Sequence, residues 1–211
     1  ISELASVLIE RNQSGIPTGT VKFDDASVAA LVKAARGENA LTRGDAVELL
    51  GFSADPTHAP VYLSALDDRS YYVIDRASVA LAKTKDKRAF DAFQKLVKTP
   101  SWKGRIQIAG MEGLAELGDK RALETAFTFA TDANQPIAAR SAALKIIGAQ
   151  GKGDPRAFPL IFEAFKTALE NDEFQGLFDT TSAIINLADP RGQEAFDMLK
   201  TKFKDNPQLA G

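Results

Sequence analysis

The stretch Arg140-Ser141-Ala142-Ala143-Leu144-Lys145-Ile146-Ile147-Gly148, followed after a Gly-Lys-Gly turn by Asp154-Pro155-Arg156-Ala157-Phe158, sets the body of one helix against the start of another. Ala143 and Ile147 stand four apart and so share a helical face, on which the small side chain leaves room for a neighbouring helix. Asp154 before Pro155 is a helix-start signal: the carboxylate accepts a free backbone N–H, and proline lacks the N–H that would otherwise stay unpaired. The figure recurs as Asp55-Pro56-Thr57-His58-Ala59, Asp86-Lys87-Arg88-Ala89-Phe90, Asp119-Lys120-Arg121-Ala122-Leu123 and Asp189-Pro190-Arg191-Gly192. Its aspartates at 55, 86, 119, 154 and 189 lie 31, 33, 35 and 35 residues apart, the size of a two-helix repeat unit.

The residues between the markers keep the same register. Five before four of the aspartates stand Leu50, Leu81, Leu114 and Ile184, and nine before stand Ala46, Ala77, Gly110 and Thr180. The fourth unit needs a two-residue shift, absorbed by Gly151-Lys152-Gly153, and supplies Ile147 and Ala143. Each such segment is the second helix of a pair. After each aspartate a first helix follows, as in Ala89, Phe90, Phe93, Leu96 and Val97, or Ala157, Phe158, Ile161, Ala164 and Phe165. The turns inside the pairs fall at Asp67–Ser70, Thr99–Ser101, Asp132–Pro136 and Glu170–Asp172, all rich in turn formers. The expected fold is all-α: a right-handed α–α superhelix of about five helix pairs over residues 41–211.

Residues 1–40 do not share the period and are expected to be an N-terminal cap or a junction. Residues 1–13 form an amphipathic stretch with Leu4, Val7 and Leu8 on one face, and Ser14–Gly19 breaks it. Asp24–Arg36 reads as a helix capped by Asp24 or Asp25, with Val28, Leu31, Val32 and Ala35 inward. Gly19–Phe23 carries the one short β-like alternation.

Composition closes most chemistry. The chain has 211 residues, no Cys and one His, His58, so thiolate nucleophiles, iron–sulfur clusters and multi-histidine metal sites are excluded. With 26 Lys+Arg against 28 Asp+Glu the net charge is −2, which offers no general attraction to phosphate backbones. No apolar run approaches the ~18 residues of a membrane span. No cofactor, nucleic acid or membrane insertion is therefore expected, and the partner is expected to be protein, as a peptide segment or an adjacent domain. The chain begins Ile1-Ser2-Glu3, which reads as a mature product or an excised domain, and absence of Cys fits cytoplasm and periplasm alike.

The repeats resemble HEAT-like repeats of the phycobilisome-lyase type, in units of Asp-Pro-Arg-Ala, an apolar helix, an acidic turn and an Arg-small-small-Ala-Leu-Gly helix. Arg43–Gly51 before Asp55, and Arg140–Gly148 before Asp154, match best, whereas Ile74 and Gln107 replace the Arg in two units and Gly176–Leu187 lacks it. More narrowly, Asp68-Arg69-Ser70-Tyr71-Tyr72-Val73, Pro100-Ser101-Trp102 and Leu117–Leu123 look like the C-terminal HEAT-type region of bacterial aminopeptidase N-family metallopeptidases. The resemblance implies either a non-catalytic scaffold or an accessory tail of a zinc enzyme. In the latter the metal site lies in another domain, since His-Glu-x-x-His does not occur here. A phycobilin-lyase-like subunit follows from repeat type alone.

Candidate residues weigh mostly toward structure. His58 sits at a helix start, where capping outranks acid–base chemistry. Asp55, Asp86, Asp119, Asp154 and Asp189 read as capping residues about one helix-pair layer, roughly 10 Å, apart and too distant to share a cation. Arg43 and Arg140 are expected to pair with a neighbouring acid. Tyr71, Tyr72 and Trp102, with Glu48 and Glu112, are the candidate partner contacts on the concave face. Glu48, Val79, Glu112, Lys145 and Ser182 make that face mixed in charge, unlike a basic nucleic-acid groove. Phe158, Phe162, Phe165, Phe174 and Phe178 read as core. Gly148–Gly153 only imitates a phosphate loop, because Asp154-Pro155 stands where Lys-Ser/Thr belongs.

Overall fold

The computed structural model describes residues 21–204. Eleven α-helices are found there: α1 (Asp25–Ala34), α2 (Ala40–Gly51), α3 (Ala59–Ala65), α4 (Tyr71–Thr84), α5 (Ala89–Val97), α6 (Arg105–Leu117), α7 (Leu123–Thr131), α8 (Ile137–Gln150), α9 (Ala157–Glu170), α10 (Phe174–Leu187) and α11 (Gln193–Lys202). No strand occurs among the described residues, and Val21–Phe23 is irregular. The expected helix over residues 1–13 lies outside them. The fold is an all-α solenoid of stacked helix pairs, and it divides into two compact units between Leu117 and Gly118.

Within the first unit α1 packs on α2, α3 on α4 and α5 on α6, while the second helices α2, α4 and α6 pack in sequence. The second unit repeats the scheme with α7 on α8, α9 on α10, and α8 against α10. The expected columns are the core: Leu50, Leu81 and Leu114 in the first unit, and Ile147 and Ile184 in the second, are almost fully buried, as are the small residues Ala46, Ala77 and Ala143 beside them. At α1, Asp24 is the cap and accepts from Ser27 N–H; Leu31 and Ala35 are buried, whereas Val28 and Val32 are only half-covered.

Second helices approach closely because glycine stands at their crossing. A Cβ on Gly51 of α2 would lie 2.7 Å from Ala80 Cβ of α4, and one on Gly148 of α8 would lie 2.7 Å from the Ala183 backbone of α10. Gly44 is likewise covered by the Tyr72 ring.

The aspartate of each repeat closes the turn between pairs. Asp55, Asp86, Asp119, Asp154 and Asp189 each accept the backbone N–H two residues on, at 2.8 to 3.0 Å. They cap a short turn rather than the α-helix itself, which starts three or four residues later, as at Ala59, Ala89 and Ala157. In four repeats the residue two on is Arg, whose guanidinium folds back on the same carboxylate. Arg156 then lies over the Phe127 ring at 4.0 Å and Arg191 over Phe158 at 4.4 Å, so the turn also clamps the preceding first helix.

Phe158 and Phe165 are buried, with Phe162 stacked between them, but Phe174 and Phe178 are 66% and 69% exposed. That corrects the expectation that all five are core. Their helical stripe is apolar, but it points away from α8 and α9, and periodicity alone does not say which side of a helix has a neighbour.

Two outcomes follow from this packing. Gly148→Val drives a branched side chain into the Ala183 backbone and should cost about 1–3 kcal/mol or more, read as a drop in the chemical-denaturation midpoint. The Arg partners hold Asp86 and Asp189 down to about 2 from the ordinary 3.8. Depressed carboxyls stabilise above their unfolded value, and that contribution is lost as pH falls from about 3.8 through about 2. Thermal melts should therefore weaken across that window, and Asp86→Asn should flatten the fall.

Candidate functional site

The outward surface of α2, α4 and α6 gathers the polar and aromatic side chains of the first unit. Tyr72, at the start of α4, reaches back over Gly44 and donates its hydroxyl proton to Asp45 Oδ1 at 2.6 Å. One turn on, Arg76 stacks on the same ring at 4.9 Å and pairs with Glu48 at 3.3 Å, while its Nε makes no directed hydrogen bond. Asp75 turns the other way and pairs with Arg105 of α6. The three second helices are thus laced by alternating acid and base on one face. Burial raises the Asp75 carboxyl above its usual range in spite of Arg105, and burial, with the Asp45 bond, raises the Tyr72 phenol.

At the edge of this face the turn before α6 presents Trp102, which is 66% exposed. Its backbone N–H points to the Tyr71 hydroxyl at 3.4 Å, and Lys103 Nζ sits 4.8 Å from the indole centre. Lys103 and Gly104 are both left-handed, with φ of 50° and 65°, an unfavourable conformation for the lysine. Ser101 Oγ locks the turn by accepting from Ile106 N–H at 2.9 Å and donating to Gln107 at 3.0 Å. The indole is therefore held out by a fixed backbone.

Of the residues expected here, Tyr71, Tyr72 and Trp102 fall together, with Glu48 half-buried in the Arg76 pair and Glu112 exposed on α6. The sequence reading missed Asp45, Asp75, Arg76 and Arg105, whose contacts cross between repeats and leave no local motif. It also missed an exposed apolar residue at the head of other second helices: Leu41 at 62% on α2, and Ile137 at 76% and Phe174 on α8 and α10. Comparing the first two positions of each second helix would have found it.

The structural residues behave differently from one another. Arg43 is 6% exposed and binds Asp68 bidentately at 2.7 and 2.8 Å while donating to the Gly37 and Glu38 carbonyls. Arg140 has a buried Nε with no hydrogen-bond partner and acts on an acid only through its charge, which helps to lower the Asp132 carboxyl, so a direct ion pair of the expected kind is seen at Arg43. His58 Nδ1 lies 3.3 Å from Ser53 Oγ, but that hydroxyl donates to the Leu50 carbonyl at 2.8 Å, which leaves no activated nucleophile. Beside them the Tyr62 hydroxyl is buried with no well-formed hydrogen bond, Ser53 being its polar neighbour, and burial pushes its ionisation up. Among the described residues no group of three or more His, Asp or Glu could hold a metal ion, and no helix is long and apolar enough to cross a membrane.

A sequence profile of HEAT repeats matches residues 28–111, the stretch that builds this face. No curated protein matches the chain. The chain thus carries HEAT-like repeats, and its fold is a HEAT-like α–α solenoid.

The Tyr72 bond joins two repeats. Tyr72→Phe should cost about 1 kcal/mol, the order of one hydrogen bond to a partly exposed carboxylate. Asp45→Asn in the Tyr72→Phe background should add little, a coupling that a double-mutant cycle of urea midpoints measures.

Proposed function

We propose that this chain is a non-catalytic repeat scaffold that holds a protein segment on the α2–α4–α6 face, with Trp102 as its anchor and Tyr71, Tyr72, Glu48 and Glu112 around it. The observation that carries the reading is the exposure of Trp102 on a turn fixed by Ser101 and two left-handed residues. A large ring held out in water at the cost of backbone strain is what a binding anchor requires, since rigid aromatics lose little entropy on contact. The mixed acid and base lacing of the face suits a polypeptide better than a polyanion.

A second reading rests on Asp68–Val73 and Leu117–Leu123, the stretches that resemble the C-terminal region of aminopeptidase N-family enzymes. On that reading the segment held is part of an adjoining catalytic domain, and the chain supports a zinc aminopeptidase without supplying its ligands. The cap or junction assigned to residues 1–40 would then face that domain; Leu4, Val7, Leu8 and Ile16, the apolar residues expected to dock there, lie outside the described residues.

Peptides selected from a displayed random library on the full chain test the proposal. Trp102→Ala should leave the melt within about 0.5 kcal/mol of the parent. It should weaken the selected peptides by about 2 kcal/mol, roughly 30-fold. Equal binding to the variant, no enrichment on the parent, or loss of the cooperative melt would each overturn the anchor role.

A further inference from the structure

Charge is unevenly spread over the first unit. Residues 21–117 carry 14 Lys+Arg against 13 Asp+Glu, a net +1 with His58 neutral. The outward face of α2, α4 and α6 runs the other way. It holds five carboxylates, on Asp45, Glu48, Asp75, Glu112 and Glu116, against three cations, on Arg76, Lys83 and Arg105, for a net −2. The rest of the unit then stands at +3, so the shortage of cations belongs to this face and not to the composition. Lys103 lies on the edge turn, against the Trp102 ring.

The cations on the face are already engaged. Arg105 pairs with Asp75 and Arg76 with Glu48, and the Arg76 charge is shared with Asp45, whose hydrogen-bond donor is the neutral Tyr72 hydroxyl. Lys83 sits over the Phe52 ring at 5.7 Å. Asp75 shows the shortfall, since burial holds its carboxyl above the usual range although a guanidinium touches it. Glu112 and Glu116 are exposed and follow Arg105 on one side of α6. At about 1.5 Å per residue they lie about 10 and 16 Å beyond it, distances that an extended chain spans in about three and five residues.

We infer that the segment held on the α2–α4–α6 face is cationic: an extended stretch of another protein that sets an apolar residue on Trp102 and carries Lys or Arg within about five residues of it. This rests on the proposal that the chain is a scaffold and adds the charge of its partner. A lysine or arginine of that segment meets carboxylates without displacing an existing pair. An acidic segment would instead add negative charge to a face that lacks cations. A second copy of this chain docked through the same face would set −2 against −2, so charge opposes that occupant too.

A displayed library of random twelve-residue peptides is selected in parallel on the full-length parent and on three variants. These are Trp102→Ala, the pair Glu112→Gln with Glu116→Gln, and that pair with Asp45→Asn added. Both charge variants should keep a cooperative melt, because positions 112 and 116 are exposed and Asn at 45 can still accept from Tyr72. Should the triple variant not fold, the pair alone carries the comparison. Peptides enriched on the parent should be basic relative to the unselected pool. They should bind the triple variant about tenfold more weakly and the pair several-fold more weakly. Trp102→Ala should weaken basic and neutral peptides alike. A neutral or acidic enriched set, or a basic set that binds the charge variants as well as the parent, overturns the cationic partner while the scaffold stands. No enrichment on the parent overturns the scaffold and this inference with it.

Discussion

The close crossing of neighbouring second helices is the contact on which the rest of the structure depends. Gly51 against Ala80 and Gly148 against Ala183 bring backbones together where any Cβ would intrude. Close approach is what lets the large members of the columns, Leu50 and Leu81 in the first unit and Ile147 and Ile184 in the second, fill the space behind it with almost no exposed surface. The crossing also sets the distances on the outward face. Tyr72 reaches Asp45, and Arg76 reaches Glu48, only because α2 and α4 sit that near each other.

The turns between pairs are built on a different principle, electrostatic rather than steric. One carboxylate accepts a backbone N–H and then holds the guanidinium two residues along, so a single Asp fixes both the backbone path and a cation. In the second unit the same cation covers a phenylalanine of the preceding first helix, which ties adjacent pairs at the edge opposite the glycine crossing. Exposed ion pairs of this kind add little stability one at a time. Their repetition at four of the five turns fixes the same local backbone path between successive pairs, a regularity that suits a stacked array.

Much of this was legible in the sequence. The aspartate spacing set the pair length, the columns around Leu50 and Ile147 marked the buried face, and Arg43 was expected to meet a neighbouring acid, whose identity, Asp68, came only with the structure. What escaped has a common cause. Periodicity assigns an apolar stripe to a helix face but not a neighbour to that face, so Phe174 and Phe178 read like Phe158 and Phe165 although only the latter two have helices over them. The laced face was partly visible, through Tyr71, Tyr72 and Trp102. Its charged members, Asp45, Asp75, Arg76 and Arg105, look like ordinary helix-surface residues until the repeats are stacked.

Trp102 is the chain's one tryptophan, and it stands in water on a rigid turn while the cores of both units are built without an indole. Its fluorescence is consequently that of a solvated ring in the native protein, much as it is in an unfolded chain. Emission will report poorly on melting of the helices, for which circular dichroism is the proper signal. Covering of the turn by another molecule, by contrast, moves the indole from water to an apolar contact, so the same residue is a built-in optical probe of contact at that edge.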